Sequence, residues 1–347
     1  MASLSSAEYV KLLISISNNI DLYMSVTFFV FGLVNAVLVI LIFTRPAFYK
    51  SPSSIYILTR AICDIILLHI VTFSRAYTGG TGINATLTNE IWCKIRASSF
   101  NLFTCFSFGC IYLNGFDQWV STARSVQRRQ WSSKKLAYVA VLILLIVLFG
   151  LIGIPMFIIY SPTATSSACT FKTTAFADYY NFFFAPMVFC ALPIVIPVIF
   201  GILTYRNIRL LTNRVHRIEQ QLTKMLLLHF IITSVVSIPY AIFTFYNAAT
   251  LRMQKDSLRL AQEYLYSTIT RNFFQVHYAD TFYIFFISSS EIRETLKKNL
   301  LQMICRTRIV PVTAEMIVHR RQQVVGTTTQ RSVQSIPVVY LTKSYVQ

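Results

Sequence analysis

Four charged residues lie well inside stretches long enough to cross a membrane: Arg60 and Asp64 in one, Arg271 and Asp280 in another that also carries Glu263 near its start. A charge in such a setting is costly and is kept for pairing, ion coordination or a conducting path, so these four are the first candidates for chemistry. Arg60 and Asp64 are four residues apart, so on a helix they share a face and can form a purely local pair. Arg271 can pair with Glu263 or extend its head group toward water. Taken together, Arg60, Asp64, Arg271 and Asp280 could instead line a solute path, which would make the chain a polytopic transporter. The histidines, His69, His216, His229, His277 and His319, are scattered and form no HExxH or paired motif, which argues against a metal-dependent membrane hydrolase or desaturase. An enzyme is not expected.

The elements that must hold these residues follow from composition. The chain has 347 residues, 55% hydrophobic and 13% charged, with mean hydropathy +0.57. That is far too apolar for an ordinary soluble domain. A helix needs roughly 20 apolar residues to cross about 30 Å of hydrocarbon. Seven stretches of about that length occur: Leu22–Phe43, Ser54–Ser74, Cys93–Gln118, Leu136–Tyr160, Tyr179–Tyr205, Thr223–Asn247 and Gln262–Ile287. Runs as long as Leu136–Ile159 exclude barrel strands, which are shorter and alternate in polarity. The fold class expected is an all-α membrane protein, a seven-transmembrane helix bundle with a short amphipathic eighth helix. Its segments are an extracellular N-terminus over 1–21, the membrane domain over 22–287, the amphipathic helix over 288–301, and a polar tail over 302–347 that reads as disordered. No repeat relates the two halves, and the odd number of spans argues against a transporter built from repeats.

Roughly two-thirds of the 31 Lys and Arg residues fall in alternate gaps, including Arg124, Arg128, Arg129, Arg206, Arg209 and the tail from Arg293. The positive-inside rule then places the N-terminus outside and the C-terminus in the cytoplasm of a plasma-membrane protein. The net charge of +18 reads as basic loops beside anionic membrane lipids, not as nucleic-acid binding. Asn84-Ala85-Thr86 is a glycosylation sequon on the expected outer face. Cys63, Cys105, Cys110 and Cys190 lie within spans. Cys93 and Cys169 both face the oxidising side and are expected to pair. Cys305 follows the amphipathic stretch Glu291–Leu301 and is either palmitoylated at the inner leaflet or a free thiol.

Seven helices, an outer N-terminus and a bond from the third helix to the next outer loop resemble the rhodopsin-like family of G-protein-coupled receptors. Gly32-Leu33-Val34-Asn35 is similar to that family's first-helix signature, and Asp64 stands where its second helix carries a buried aspartate. The resemblance implies a sodium ion held by Asp64 with Asn35 and Ser107, although Thr281 and Ser237 replace the family's Asn and Trp nearby; the local Arg60–Asp64 pair is the competing reading. From Cys93 to Gln118 is about 37 Å of helix, ending in Asp117-Gln118-Trp119 where the family has Asp-Arg-Tyr. Glu219 matches the acidic sixth-helix partner of that missing arginine, and Gln118 can offer it only a neutral hydrogen bond. Arg124 and Arg128 are then candidate partners for Asp117. Pro197 and Tyr205, eight apart, match the fifth-helix pair, and Pro239 matches the sixth-helix kink. Thr281 and Phe285 stand where the family has the Asn and Tyr of Asn-Pro-X-X-Tyr. The resemblance covers about residues 20 to 300 and describes a divergent member.

By that resemblance the ligand cavity opens outward between the third, fifth, sixth and seventh helices. Phe100 stands where amine receptors place an aspartate, which argues against a biogenic amine. Gln275 replaces the lysine of opsins, which excludes retinal attachment under this alignment. Arg271 and Gln275 face together at a spacing of four, suited to a carboxylate, with Phe100, Thr104, Tyr240 and Thr244 lining the same space. The expected partners are an extracellular ligand, a peptide or a carboxylate-bearing small molecule, and a heterotrimeric G protein. Gln118 leaves open a receptor that signals without one. No cofactor beyond the sodium ion is expected.

Overall fold

The computed structural model describes residues 6–83, 85–163, 168–209, 217–290 and 292–297. Expectations for Asn84, Cys305 and the tail from residue 302 fall outside the described residues, as does the side chain of Glu219. The long helices are α1 (Ser6–Phe43), α2 (Ser53–Thr81), α3 (Glu90–Ser121), α4 (Lys134–Ile159), α5 (Thr174–Ile208), α6 (Arg217–Thr250) and α7 (Ser257–Gln275), with a shorter α8 (Thr281–Ser288). All belong to the first of two compact units, Met1–Arg293 and Glu294–Gln347. The helices close into a bundle in which α1 packs on α2 and α7, α2 on α3, α3 on α4 and α5, α5 on α6, and α6 on α7.

Among the described residues α1, α2, α4, α5 and α6 are long and apolar enough to cross a membrane. The polar character of α3 has a physical reason. Ser98, Asn101, Thr104, Ser107, Asn114, Asp117 and Gln118 are all buried against other helices, so this helix meets protein where the others meet lipid. In α4 the opposite holds, with Leu142, Ile143, Ile146 and Leu151 more than half exposed on a face that only lipid would cover. The α3–α4 contact is tight at Gly109, where a Cβ would sit 2.6 Å from Leu144 Cδ2.

The first helix begins at Ser6, about four turns before the expected start at Leu22. This extension carries Asn18 and Asp21 to α7, where Asn18 Oδ1 accepts from Tyr264 Oη at 3.0 Å and Asp21 Oδ1 from Asn272 Nδ2 at 3.4 Å. Helix α2 stops at Gly82, whose φ of +71° is a left-handed cap that side chains disfavour. Asn89 caps α3 by accepting from Trp92 N at 3.1 Å, and Ser133 caps α4 by accepting from Leu136 N at 3.3 Å.

Between α4 and α5 an antiparallel hairpin forms, β1 (Tyr160–Thr163) and β2 (Ala168–Phe171), an addition to the all-α expectation. Cys169 on β2 is disulfide-bonded to Cys93 in the first turn of α3, as the sequence led one to expect. Residues 292–297 are helical, within the stretch expected to form the amphipathic helix. Arg293 Nη1 donates to Ile287 O at 2.8 Å and Phe286 O at 3.2 Å, satisfying carbonyls at the end of α8.

The seventh span is broken in the middle. A 3-10 turn, Val276–Tyr278, separates α7 from α8 without any proline. Such a break deep in the bundle strands carbonyl and amide groups that must find partners. Asn35 supplies two of them: its Nδ2 donates to Tyr278 O at 3.2 Å and its Oδ1 accepts from Phe282 N at 2.6 Å. Arg60 Nη2 supplies a third by donating to His277 O.

Candidate functional site

Arg60 is the hub of a buried polar core that joins α2, α3, α6 and the break in the seventh span. It is only 4% exposed, so its charge must be met by protein. Its Nε donates to Ser107 Oγ at 3.2 Å and lies 3.5 Å from Asp64 Oδ2. Its Nη2 lies 3.7 Å from Asp280 Oδ1, and its Nη1 is 2.9 Å from His229 Nε2. Ser107 Oγ in turn donates to Asp64 Oδ1 at 3.0 Å. The same His229 nitrogen is 3.3 Å from Asp280 Oδ1. One ring nitrogen cannot accept from a guanidinium and donate to a carboxylate at once, so the position of a single proton decides which helix His229 is bonded to.

A second contact joins α6 to the break. Ser237 Oγ lies 2.9 Å from Thr233 O of its own helix and 3.0 Å from His277 Nε2. Its single proton can serve only one of the two, so the His277 tautomer decides which of them it bonds as donor. His277 Nδ1 has no hydrogen-bond partner among the described residues.

Toward the end of the bundle where α1, α2, α3 and α7 meet lies a cavity of about 540 Å³, lined by Asn18, Asp21, Arg75, Arg96, Tyr264 and Arg271 among others. A smaller one of about 110 Å³ shares Arg75 and Arg271 with it and adds Phe100, Tyr240, Phe274 and Gln275. Four of the six residues expected at a ligand, Phe100, Tyr240, Arg271 and Gln275, thus line one space. Thr104 does not: its hydroxyl is buried against Tyr278 Oη at 2.9 Å. Thr244 Oγ1 donates to Tyr240 O within its own helix. The pairing of Arg271 with Glu263 is also corrected. Arg271 Nη2 is 3.7 Å from Asp21 Oδ1, while Glu263 is held by Lys255 at 2.6 Å and Arg259 at 3.1 Å.

At the other end Gln118 bridges two helices. Its Nε2 donates to Ser53 Oγ of α2 at 2.7 Å and its Oε1 accepts from Thr223 Oγ1 of α6 at 2.8 Å. Asp117 accepts from Ser53 at 2.9 Å and Ser132 at 2.7 Å, while Arg124 and Arg128 are exposed in the loop. Pro197 and Pro239 lie within α5 and α6 as expected. Tyr205 is 58% exposed and turned out of the bundle.

A family model described as "7 transmembrane receptor (rhodopsin family)" matches residues 35–278. The chain belongs to that family. A comparison with individually curated proteins gives no match. This receptor is accordingly a multi-pass membrane protein, and its family is one of receptors that generally engage an extracellular ligand and a G protein.

The sodium ion implied by the resemblance does not fit these residues. The Arg60 guanidinium occupies the space beside Asp64 and Ser107, bringing its own positive charge. Asn35 is turned away, both ends of its amide being used on the broken seventh span. Of the seventh-span residues, Asp280 and His277 join the core; Thr281 only donates to Asp280, at 3.3 Å, and Phe285 packs on Phe43 and His229. Of the core's members, His229 and His277 were not singled out by the sequence reading. A signal existed for His229, a lone polar residue in the run Leu226-Leu227-Leu228-His229-Phe230-Ile231-Ile232 of the receptor's sixth helix.

Proposed function

We propose that this receptor lies in the plasma membrane with its N-terminus outside, binds a small anionic ligand in the cavity beside Arg271, and signals to a G protein by outward movement of α6 about Pro239. The observation that carries this reading is Arg271 itself. Its guanidinium borders both the open cavity and the small aromatic one, and the latter includes Tyr240, the residue after the kink proline. A ligand held there bears directly on the hinge of α6, and one that binds the open state better than the closed state shifts the population toward signalling.

At the cytoplasmic end the Ser53–Gln118–Thr223 bridge is the restraint that must part when α6 swings. It is neutral, so it holds less firmly than a charge-assisted lock would. Arg60 pairs with Asp64 and Asp280, which favours a packed receptor core over a transport path through the middle of the bundle.

The test is a screen of anionic ligands on cells reporting calcium and cyclic AMP together, with solute uptake followed in parallel. A second-messenger response without uptake, lost in Arg271→Gln at equal surface expression, supports the proposal. Uptake abolished by Asp64→Asn, with no messenger response, refutes it. Gained coupling in Gln118→Arg alone would mean that the native chain signals by another transducer. Glycosidase sensitivity that vanishes in Asn84→Gln checks the orientation.

A further inference from the structure

The proposed function rests on Arg271, yet two more arginines border the same cavity. Arg75 reaches it from α2 and Arg96 from α3. Against these three guanidinium groups the cavity lining has one carboxylate, Asp21 of the α1 extension. Asp21 Oδ1 is 4.0 Å from Arg75 Nη1 and 3.7 Å from Arg271 Nη2. A docked guanidinium–carboxylate pair closes to about 2.7–2.9 Å. Asp21 therefore stands between two cations without seating on either. Arg96 has no carboxylate partner among the described residues; its Nε donates to Ser74 Oγ at 2.7 Å. Arg75 Nη1 and Arg271 Nε are buried without a hydrogen-bond partner. Buried donors are normally satisfied, and repelling guanidinium groups stay together only where an anion compensates them.

We infer that this cavity binds a phosphate monoester, with Asp21 serving as a tethered stand-in for the ligand's anionic head. This deepens the proposed function and rests on it. Two positive charges exceed the single carboxylate, and a phosphate monoester carries nearly two negative charges with three acceptor oxygens on one centre. A monocarboxylate would leave one charge unmet. The volume of about 540 Å³ suits a small molecule. The adjoining space of about 110 Å³, walled by Phe100, Tyr240 and Phe274, is smaller than a cavity of about 150 Å³ that accepts benzene, so it suits an ester substituent of a few carbons. When the phosphate engages Arg75 and Arg271, Asp21 moves aside, because two anions cannot share the same donors.

The test uses the purified full-length chain and its thermal unfolding midpoint against butyl phosphate, inorganic phosphate, butyrate and butylamine. Butyl phosphate is expected to raise the midpoint most and butylamine not at all. Asp21→Asn removes the competing carboxylate and is expected to lower the half-saturating concentration of butyl phosphate about tenfold, while Arg75→Gln and Arg96→Gln raise it about tenfold or more. The gain in Asp21→Asn keeps the test decisive even if an arginine variant fails to fold. No shift with butyl phosphate in either the native chain or Asp21→Asn overturns the inference, and so does an equal shift with butylamine. Nanodiscs of phosphatidylcholine with and without phosphatidic acid distinguish a lipid head group from a soluble ester as the source. Butyl phosphate binding without any messenger response upholds the site and refutes signalling; a response to another ligand that is indifferent to Asp21→Asn and Arg96→Gln does the reverse.

Discussion

Replacing Arg60 by leucine tests whether an arginine is the fixed cation of the receptor core. The change removes the guanidinium that lies within 3.7 Å of both Asp64 and Asp280, leaving two buried carboxylates with no arginine or lysine within pairing distance among the described residues. Taking one partner from a buried ion pair costs about 3–5 kcal/mol, because the charge that remains is uncompensated. His277 O loses the side-chain donor it has in Arg60 as well, while Ser107 Oγ keeps its bond to Asp64 and His229 Nε2 its contact with Asp280. A buried acceptor left without a donor costs about 1–3 kcal/mol, and this loss overlaps with the first, so about 4 kcal/mol is a fair working value. At about 2–4 °C per kcal/mol, the unfolding midpoint should fall by roughly 10 °C. Cys63, Cys105, Cys110 and Cys190 are free and buried, so a thiol-reactive dye reports unfolding directly. A fall of under about 2 °C, half of what even 1 kcal/mol can produce, would refute the role given to Arg60.

The same variant decides the sodium question. If Arg60 fills the ion's place, the native midpoint should be equal in sodium chloride and choline chloride at about 0.15 M. Arg60→Leu should then gain a sodium-specific stabilisation, because Asp64 and Ser107 are released to an external cation. A sodium-specific rise in the native chain would show that the guanidinium does not occupy that space.

Other perturbations give further checks. Gln118→Ala cuts the bridge between Ser53 and Thr223 and should raise ligand-independent signalling while costing about 1–3 kcal/mol of stability, read as basal cyclic AMP or calcium beside the unfolding midpoint. Ser237→Ala removes the hydroxyl in contact with His277 Nε2 and should also raise basal signalling, with a smaller loss of about 1 kcal/mol; an unchanged baseline would remove Ser237 from the restraint on α6. Cys93→Ser opens a loop with a sequence separation of 76 residues and should cost up to about 4 kcal/mol, seen as loss of surface expression, and dithiothreitol should reproduce the effect on the purified chain. Gly109→Val places side-chain atoms where even a Cβ lies 2.6 Å from Leu144 Cδ2 and should lower stability by about 1–3 kcal/mol.

What could be read from the sequence divides along the range of the interactions concerned. Helix placement was legible because lipid imposes it residue by residue, as in Leu136–Ile159. The Cys93–Cys169 bond was legible because the other cysteines outside the tail fell within apolar runs. The Arg60–Asp64 pair was legible at a spacing of four. Its extension to Asp280, His229 and His277 was not, since nothing local to Arg60 says which face of α6 and which part of the broken seventh span will meet it. The same rule explains the start of α1. Asn18 and Asp21 look like the polar end of a span until Tyr264 and Asn272, far along the chain, are found to be their partners. It also explains why Asp280 was not placed beside Arg60. The break in the seventh span, held by Asn35 bonding Tyr278 O and Phe282 N, is a tertiary feature with no local sign around Asp280. Likewise the Gln118–Thr223 bond depends on how far α6 is set along its axis against α3, which packing fixes and the pattern of α6 alone does not. The functional core is therefore the part least visible in the sequence, because each helix contributes only one or two of its residues.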